Sequence, residues 1–134
     1  MALISALALP LTSHLMGNYH DLDVWKKSVD LVVNIYSVTK TFPRDEVFGL
    51  RLQMRRAAAS VPSNIAEGQG RSTDKEYRNF LFYARGSLLE LETQIIIAER
   101  LSFLSGDVCD ALRAQTVEIG KMLNGLLRYL RPDA

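Results

Sequence analysis

The 134-residue chain is poor in the side chains that usually carry chemistry. It has one cysteine, Cys109, so no internal disulfide can form, and a lone thiol points to a reducing, cytoplasmic setting. Its two histidines, His14 and His20, both lie near the start. One cysteine and two histidines offer no spacing that suits zinc. No histidine is placed to serve a serine as base, and no glycine-rich phosphate loop follows a strand pattern. Catalysis is therefore not expected, and no cofactor is implied. Net charge is also nearly absent: 16 basic against 15 acidic residues leave +1. That excludes a globally basic nucleic-acid binder and confines any such site to a local patch. No stretch alternates with period two, so no strand is expected.

The first seventeen residues lack charge altogether, and residues 2–9 are apolar except for Ser5. The stretch is too short to span a membrane, and it has no basic region ahead of its apolar part, as a secretion signal would. Met16 stands just before the first patterned segment. We expect residues 1–17 to be an over-extended start or a loose tail, with residues 18–134 forming one domain. A weak secretion signal is the less favoured reading.

What is present is helical periodicity. Apolar residues make up 48% of the chain and charged residues 23%, the balance of an ordinary globular protein. Residues 22–41 place Trp25, Val29, Val32 and Tyr36 on one helical face, with Leu31, Val33 and Ile35 as further apolar positions. Residues 44–67 carry the stripe Leu50, Met54, Ala57, Val61 and Ile65. Pro62 falls inside that stripe and predicts a kink or break near Ser60. Gly68 and Gly70 predict a left-handed end to the segment. Residues 74–104 hold the longest clean pattern: Tyr77, Leu81, Ala84, Leu88, Leu91, Ile95 and Ala98 alternate by four and three. Thr73 and Glu76 have capping-box spacing ahead of it. After the turn at Ser105, Gly106 and Asp107, a last segment reaches about residue 130. One column there is Val108, Met122 and Tyr129, and the other is Leu112, Ile119 and Leu126.

Short turns between the segments predict an all-α, antiparallel, up-down-up-down four-helix bundle with a Pro-kinked second helix. The first and third segments carry more apolar surface than one bundle core needs, so the chain is expected to associate with copies of itself.

The most distinctive run is Gln53-Met54-Arg55-Arg56-Ala57-Ala58-Ala59-Ser60-Val61-Pro62-Ser63-Asn64-Ile65-Ala66-Glu67-Gly68. Phe42-Pro43, Glu46 and Gly49-Leu50 precede it; Ala84-Arg85-Gly86-Ser87 and Glu90-Leu91-Glu92 follow. In these motifs, across about residues 22–130, the chain resembles the four-helix-bundle family encoded by 23S ribosomal RNA intervening sequences. The resemblance implies a bundle that assembles as a ring, typically a pentamer. That family is itself similar to the accessory variability determinant of diversity-generating retroelements, a basic pentameric barrel that binds nucleic acid and a reverse transcriptase. Residues 1–17 and the near-neutral charge depart from the pattern.

Physically, Ser60, Ser63 and Asn64 flank Pro62, where short polar side chains can bond a freed backbone. Glu67 is on roughly the same face and would pair with Arg55 or Arg56. A network that fixes the kink is the favoured reading, and an anion or ligand pocket the other. Gly86 and Ser87 are expected to allow close helix packing.

Charge is concentrated in residues 51–85, where Arg51, Arg55, Arg56, Arg71, Lys75, Arg78 and Arg85 face only three acidic residues. Arg71, Lys75, Arg78 and Arg85 are spaced to share one helical face. Arg78, Arg85, Glu92 and Glu99 are each seven apart, so that column turns from positive to negative. Arginines at a helix N-terminus oppose the macrodipole and call for another reason. Two are open: binding the phosphates of RNA or DNA, or pairing with a neighbouring copy's Glu92 and Glu99 to set the register of a homo-oligomer. Another protein is a third possible partner. Tyr77, Phe80, Phe82 and Tyr83 lie among the basic residues and could stack on bases, although core or interface is the commoner use of such aromatics.

Overall fold

The apolar column at residues 77–98 becomes the spine of helix α3 (Asp74–Arg100), and all seven of its residues are buried. The computed structural model describes residues 18–133. The other helices are α1 (Asp23–Thr39), α2 (Leu50–Gln69) and α4 (Gly106–Tyr129), with short 3-10 turns at Tyr19–Asp21 and Arg44–Glu46. Among the described residues there is no strand, and no helix is long and apolar enough to cross a membrane. The expectation for residues 1–17 lies outside the described residues.

Each helix packs on its sequence neighbours, and α4 closes the bundle against α1. In each pair, later residues of one helix meet earlier residues of the other. Ser60 meets Ser87 while Gly68 meets Tyr77. Arg78 meets Leu127 while Cys109 meets Ile95. Asn34 meets Gln115 while Lys27 meets Glu118. Packed neighbours therefore run antiparallel.

The helix ends have local causes. Thr73 caps α3, its Oγ1 accepting from the Glu76 N–H at 3.2 Å, as the capping-box spacing implies. Ser105 caps α4 by accepting from Val108 N–H at 3.3 Å. Helix α2 starts at Leu50, six residues later than expected, because residues 44–46 form their own turn. Glu46 Oε1 then accepts the Leu50 N–H at 2.8 Å, satisfying one of the orphan donors. Helix α3 stops at Arg100, short of the expected 104. Ser102 takes a left-handed φ of 61° there, and Phe103 N–H and Ser102 N–H donate back to Ala98 and Glu99. This is the bonding of a Schellman ending, with serine in the position glycine favours.

Three expectations need correction. Helix α2 is continuous through Pro62, which is itself buried, so the helix does not break near Ser60. Gly68 is not a left-handed terminator: no described glycine has positive φ, and Gly70, the cap, is right-handed. Gly68 is buried inside α2, where a Cβ would lie 2.8 Å from Phe80 Cβ and 2.9 Å from Tyr77 Cδ1. Its lack of a side chain lets α3 come close. The third concerns the faces of α1 and α4. The buried residues of α1 are Val24, Ser28, Leu31, Ile35 and Thr39, while Tyr36 is exposed. Those of α4 are Cys109, Leu112, Thr116, Ile119, Leu123 and Leu127, while Tyr129 is exposed. Both true stripes pass through hydroxyls that hide their polarity on their own helix. Ser28 donates to Trp25 O at 2.8 Å, Thr39 to Ile35 O at 2.7 Å, and Thr116 to Arg113 O at 3.0 Å.

Two outcomes follow from this packing. Gly68→Ala should destabilise the fold by about 1–3 kcal/mol through overpacking, read by urea denaturation. Burial, with Asp74 adding to it, pushes the Tyr77 hydroxyl up to about 12. Its folded pKa lies above the unfolded value, so its contribution to stability is intact below about pH 10 and is lost as pH rises toward 12. Tyr77→Phe should flatten that alkaline loss in a pH series of unfolding midpoints.

Candidate functional site

The seven basic residues singled out from the sequence do not share one face. Arg55 reaches across to the end of α1. Its Nε donates to Thr39 Oγ1 at 3.0 Å, one terminal nitrogen donates to Tyr36 O at 3.1 Å, and the guanidinium stacks 4.4 Å from the Tyr36 ring. Arg78 does the same for α4, donating to the carbonyls of Leu127 and Leu130. Both cations thus serve the C-terminal carbonyls of an antiparallel neighbour, where a helix leaves acceptors unpaired and carries partial negative charge. Arg71 turns the other way, toward α2, pairing with Glu67 at 3.2 Å and stacking 4.6 Å from the Phe80 ring. Glu67 is exposed and pairs with Arg71, not with Arg55 or Arg56. Arg56 and Lys75 are exposed, and Arg51 is half-buried on α2.

The charge gradient at 78, 85, 92 and 99 gains a reason inside the chain. This column lies along α4, which runs in the opposite direction. Arg78 stands at the C-terminus of α4. Glu99 stands at its N-terminus, where a Cβ on Gly106 would lie 3.3 Å from Glu99 Oε2. Cations beside a C-terminus and anions beside an N-terminus are each favourable, by about 0.3–1 kcal/mol. The arginine near the start of α3 opposes its own helix but complements the next one. Burial pushes the nearby Cys109 thiol up, Glu99 and Asp110 add to the effect, and Arg113 opposes it. A buried, protonated thiol is a packing residue.

The run around Pro62 is a structural network. Ser60 Oγ lies 2.7 Å from Ser87 Oγ across the α2–α3 contact. Asn64 Nδ2 donates to Ser60 O at 2.8 Å and to Ser60 Oγ at 2.9 Å. Ser63 is exposed. Ser87 therefore packs against α2 as expected. Gly86 does not: nothing lies within 4 Å of its Cβ direction.

One concave, uniformly basic site emerges at the α3–α4 end of the bundle. It is an open groove of about 500 Å³, lined by Arg78, Phe82, Arg85, Asn124, Leu127, Arg128, Leu130 and Pro132. Among the described residues, no acidic one lines it. Asn124 Oδ1 accepts from Arg85 at 3.0 Å and orients the guanidinium. Phe82 holds cations by its ring, with Arg85 at 4.9 Å and Arg78 at 5.5 Å from the centroid. Arg128 and Asn124 are not among the residues expected from the sequence. Their only sequence signal is a basic end to α4, which becomes part of a site once α4 folds back along α3. A second cavity of about 80 Å³, between α1 and α4, is lined by Lys27, Asp30, Gln115, Glu118 and Ile119. Lys27 and Glu118 already pair there at 3.1 Å. Among the described residues no group of three or more His, Cys, Asp or Glu stands together as a metal site would require.

Comparison with known proteins agrees with this architecture. Residues 20–125 match the family described as 23S rRNA-intervening sequence protein, and the chain belongs to that family. The fold is similar to the crystal structure of a protein of unknown function from the S23 ribosomal protein family of Bacteroides thetaiotaomicron VPI-5482. The TM-score is 0.71 at 21% identity, covering 78% of this chain and 98% of that one. No curated protein matches the sequence.

If Arg78 serves α4 as a cap, Arg78→Met should lower stability by about 1.5–3 kcal/mol, the range for a hydrogen bond to a charged group. Thermal unfolding without any ligand reads this, and amide exchange should rise in the last turn of α4.

Proposed function

Starting from membership of that family, we propose that the chain is a self-assembling, non-catalytic four-helix bundle whose copies close into a ring, five being the number the family resemblance suggests. The observation that carries this reading is the outward face of α3. Leu89 and Ile96 are seven residues apart, with Tyr83 and Ile97 beside them and Leu101 continuing the line past the helix end. These residues are 37–60% exposed. A contiguous apolar strip on a helix is the mark of an interface. Gly86 sits on this strip with open space around it. Glycine in an exposed helix interior costs about 0.5–1 kcal/mol relative to alanine, and nothing among the described residues uses the missing side chain. A second copy approaching α3 would use it.

In this reading the ring works in the cytoplasm and repeats its basic groove around an axis, so weak contacts with RNA or DNA add up through multivalency. The alternative is a purely structural role, in which Arg78 and Arg85 of one copy pair with Glu92 and Glu99 of the next. It is less favoured because Arg78 and Glu99 already serve the two ends of α4.

The test is Leu89→Glu combined with Ile96→Glu. Both side chains are exposed within one copy, so helical content should persist by circular dichroism. Gel filtration with light scattering should show the wild type as a multiple of the 15.0 kDa chain and the variant as a single chain. An unchanged particle mass would overturn the assignment of this face. Wild-type material that is already a single chain would overturn self-assembly and leave the strip to a different protein.

A further inference from the structure

We infer that the groove between α3 and the end of α4 is a nucleotide subsite. Arg85 and Arg128 hold the phosphate, and the Phe82 ring takes the base. The inference rests on the nucleic-acid part of the reading above and names the unit that is bound and the place that binds it. Arg128 is outside the basic run that suggested such a role, so the site is not that run restated.

The lining supplies both halves of a nucleotide's chemistry. Three guanidinia converge on one concavity with no carboxylate among its lining residues. Arg78 has one terminal nitrogen committed to two carbonyls of α4 and acts mainly as fixed charge. Arg85 gives one nitrogen to Asn124 and lies over the Phe82 ring, contacts that fix its direction without neutralising it. Arg128 is exposed at the groove edge. Planar guanidinium donors suit phosphate oxygens, and pre-orientation lowers the ordering cost of binding. Phe82 is 40% exposed, and the part of its ring that Arg78 and Arg85 do not cover offers an aromatic surface at the same site. A simple anion would leave that surface unused, whereas a base stacks on it. The volume of about 500 Å³ lies within the usual range for small-ligand sites. The open form also admits one nucleotide of a longer strand. A base already paired in a duplex could not reach Phe82 without leaving its stack, so single strands are favoured.

The experiment uses the full chain, a labelled oligo-uridine strand, a matched duplex, and uridine monophosphate and inorganic phosphate as competitors. Affinity for the single strand should fall with rising salt. Arg85→Gln with Arg128→Gln should weaken it about tenfold or more and make the log–log salt slope shallower by about 0.7 for each phosphate that is no longer neutralised. Phe82→Ala should weaken it about tenfold with the salt slope unchanged, because stacking carries no counterion release. Particle mass is measured for every variant, since Phe82 borders the proposed self-association strip. Arg128→Glu alone, at an exposed position, gives a second test should the double variant be unstable.

Uridine monophosphate should compete better than inorganic phosphate. If it competes as well as the strand does per nucleotide, the site takes free nucleotides; if only the strand competes, the site takes a nucleotide within a chain. Equal binding of duplex and single strand would overturn the role of Phe82. Strand binding that ignores both arginine variants would overturn the groove while leaving nucleic-acid binding standing elsewhere on the surface. No binding even at low salt would overturn both.

Discussion

Antiparallel packing sets the terms on which charge is used in this bundle. When α3 and α4 lie side by side in opposite directions, the first turns of one stand beside the last carbonyls of the other. Arg78 then meets Leu127 and Leu130 at one end, and Glu99 meets the start of α4 at the other. Arg55 repeats the arrangement toward the end of α1. An arginine that looks misplaced near the N-terminus of its own helix is well placed for its neighbour. What remains for outside partners is the charge these ends do not absorb, chiefly Arg85 and Arg128 in the groove and the exposed Arg56 and Lys75.

How much of this is legible in the sequence varies by helix. The core face of α3 can be read completely because all seven of its positions are apolar and in unbroken register. The core face of α1 cannot. It runs through Ser28 and Thr39, while Trp25 and Tyr36 offer an apolar column of equal regularity one step around the helix. A hydroxyl that bonds its own helix carbonyl is nearly apolar to its surroundings, and sequence spacing does not reveal that. Thr116, bonding Arg113 O, conceals the face of α4 in the same way. Gly68 is legible as important but not as to why. Turn chemistry and close helix approach both select glycine, and only the position of Phe80 and Tyr77 decides between them.

The charged column shows a parallel limit. Its period of seven and its change of sign are plain, and they raise the right question about arginines at a helix start. The partner is out of view, because it is not a side chain at all. Backbone carbonyls at a helix end carry no letter in the sequence. The groove is out of view for a related reason: Arg85 and Arg128 are 43 positions apart in the chain and meet only through the α3–α4 fold-back.

The apolar strip begins beside Phe82, where the basic groove ends, and the two point to different uses of α3. The strip runs along the outward face through Leu89 and Ile96, and the groove opens toward the end of α4. A ring built through the strip would leave one groove per copy, repeated at fixed spacing. Such a ring depends on the strip being covered by another copy of the chain. The most direct measurement is sedimentation equilibrium of the wild-type protein over a range of concentrations. A ring requires one closed species at an integer multiple of 15.0 kDa, five-fold if the family resemblance extends to ring size. A single 15.0 kDa species at every concentration would contradict it.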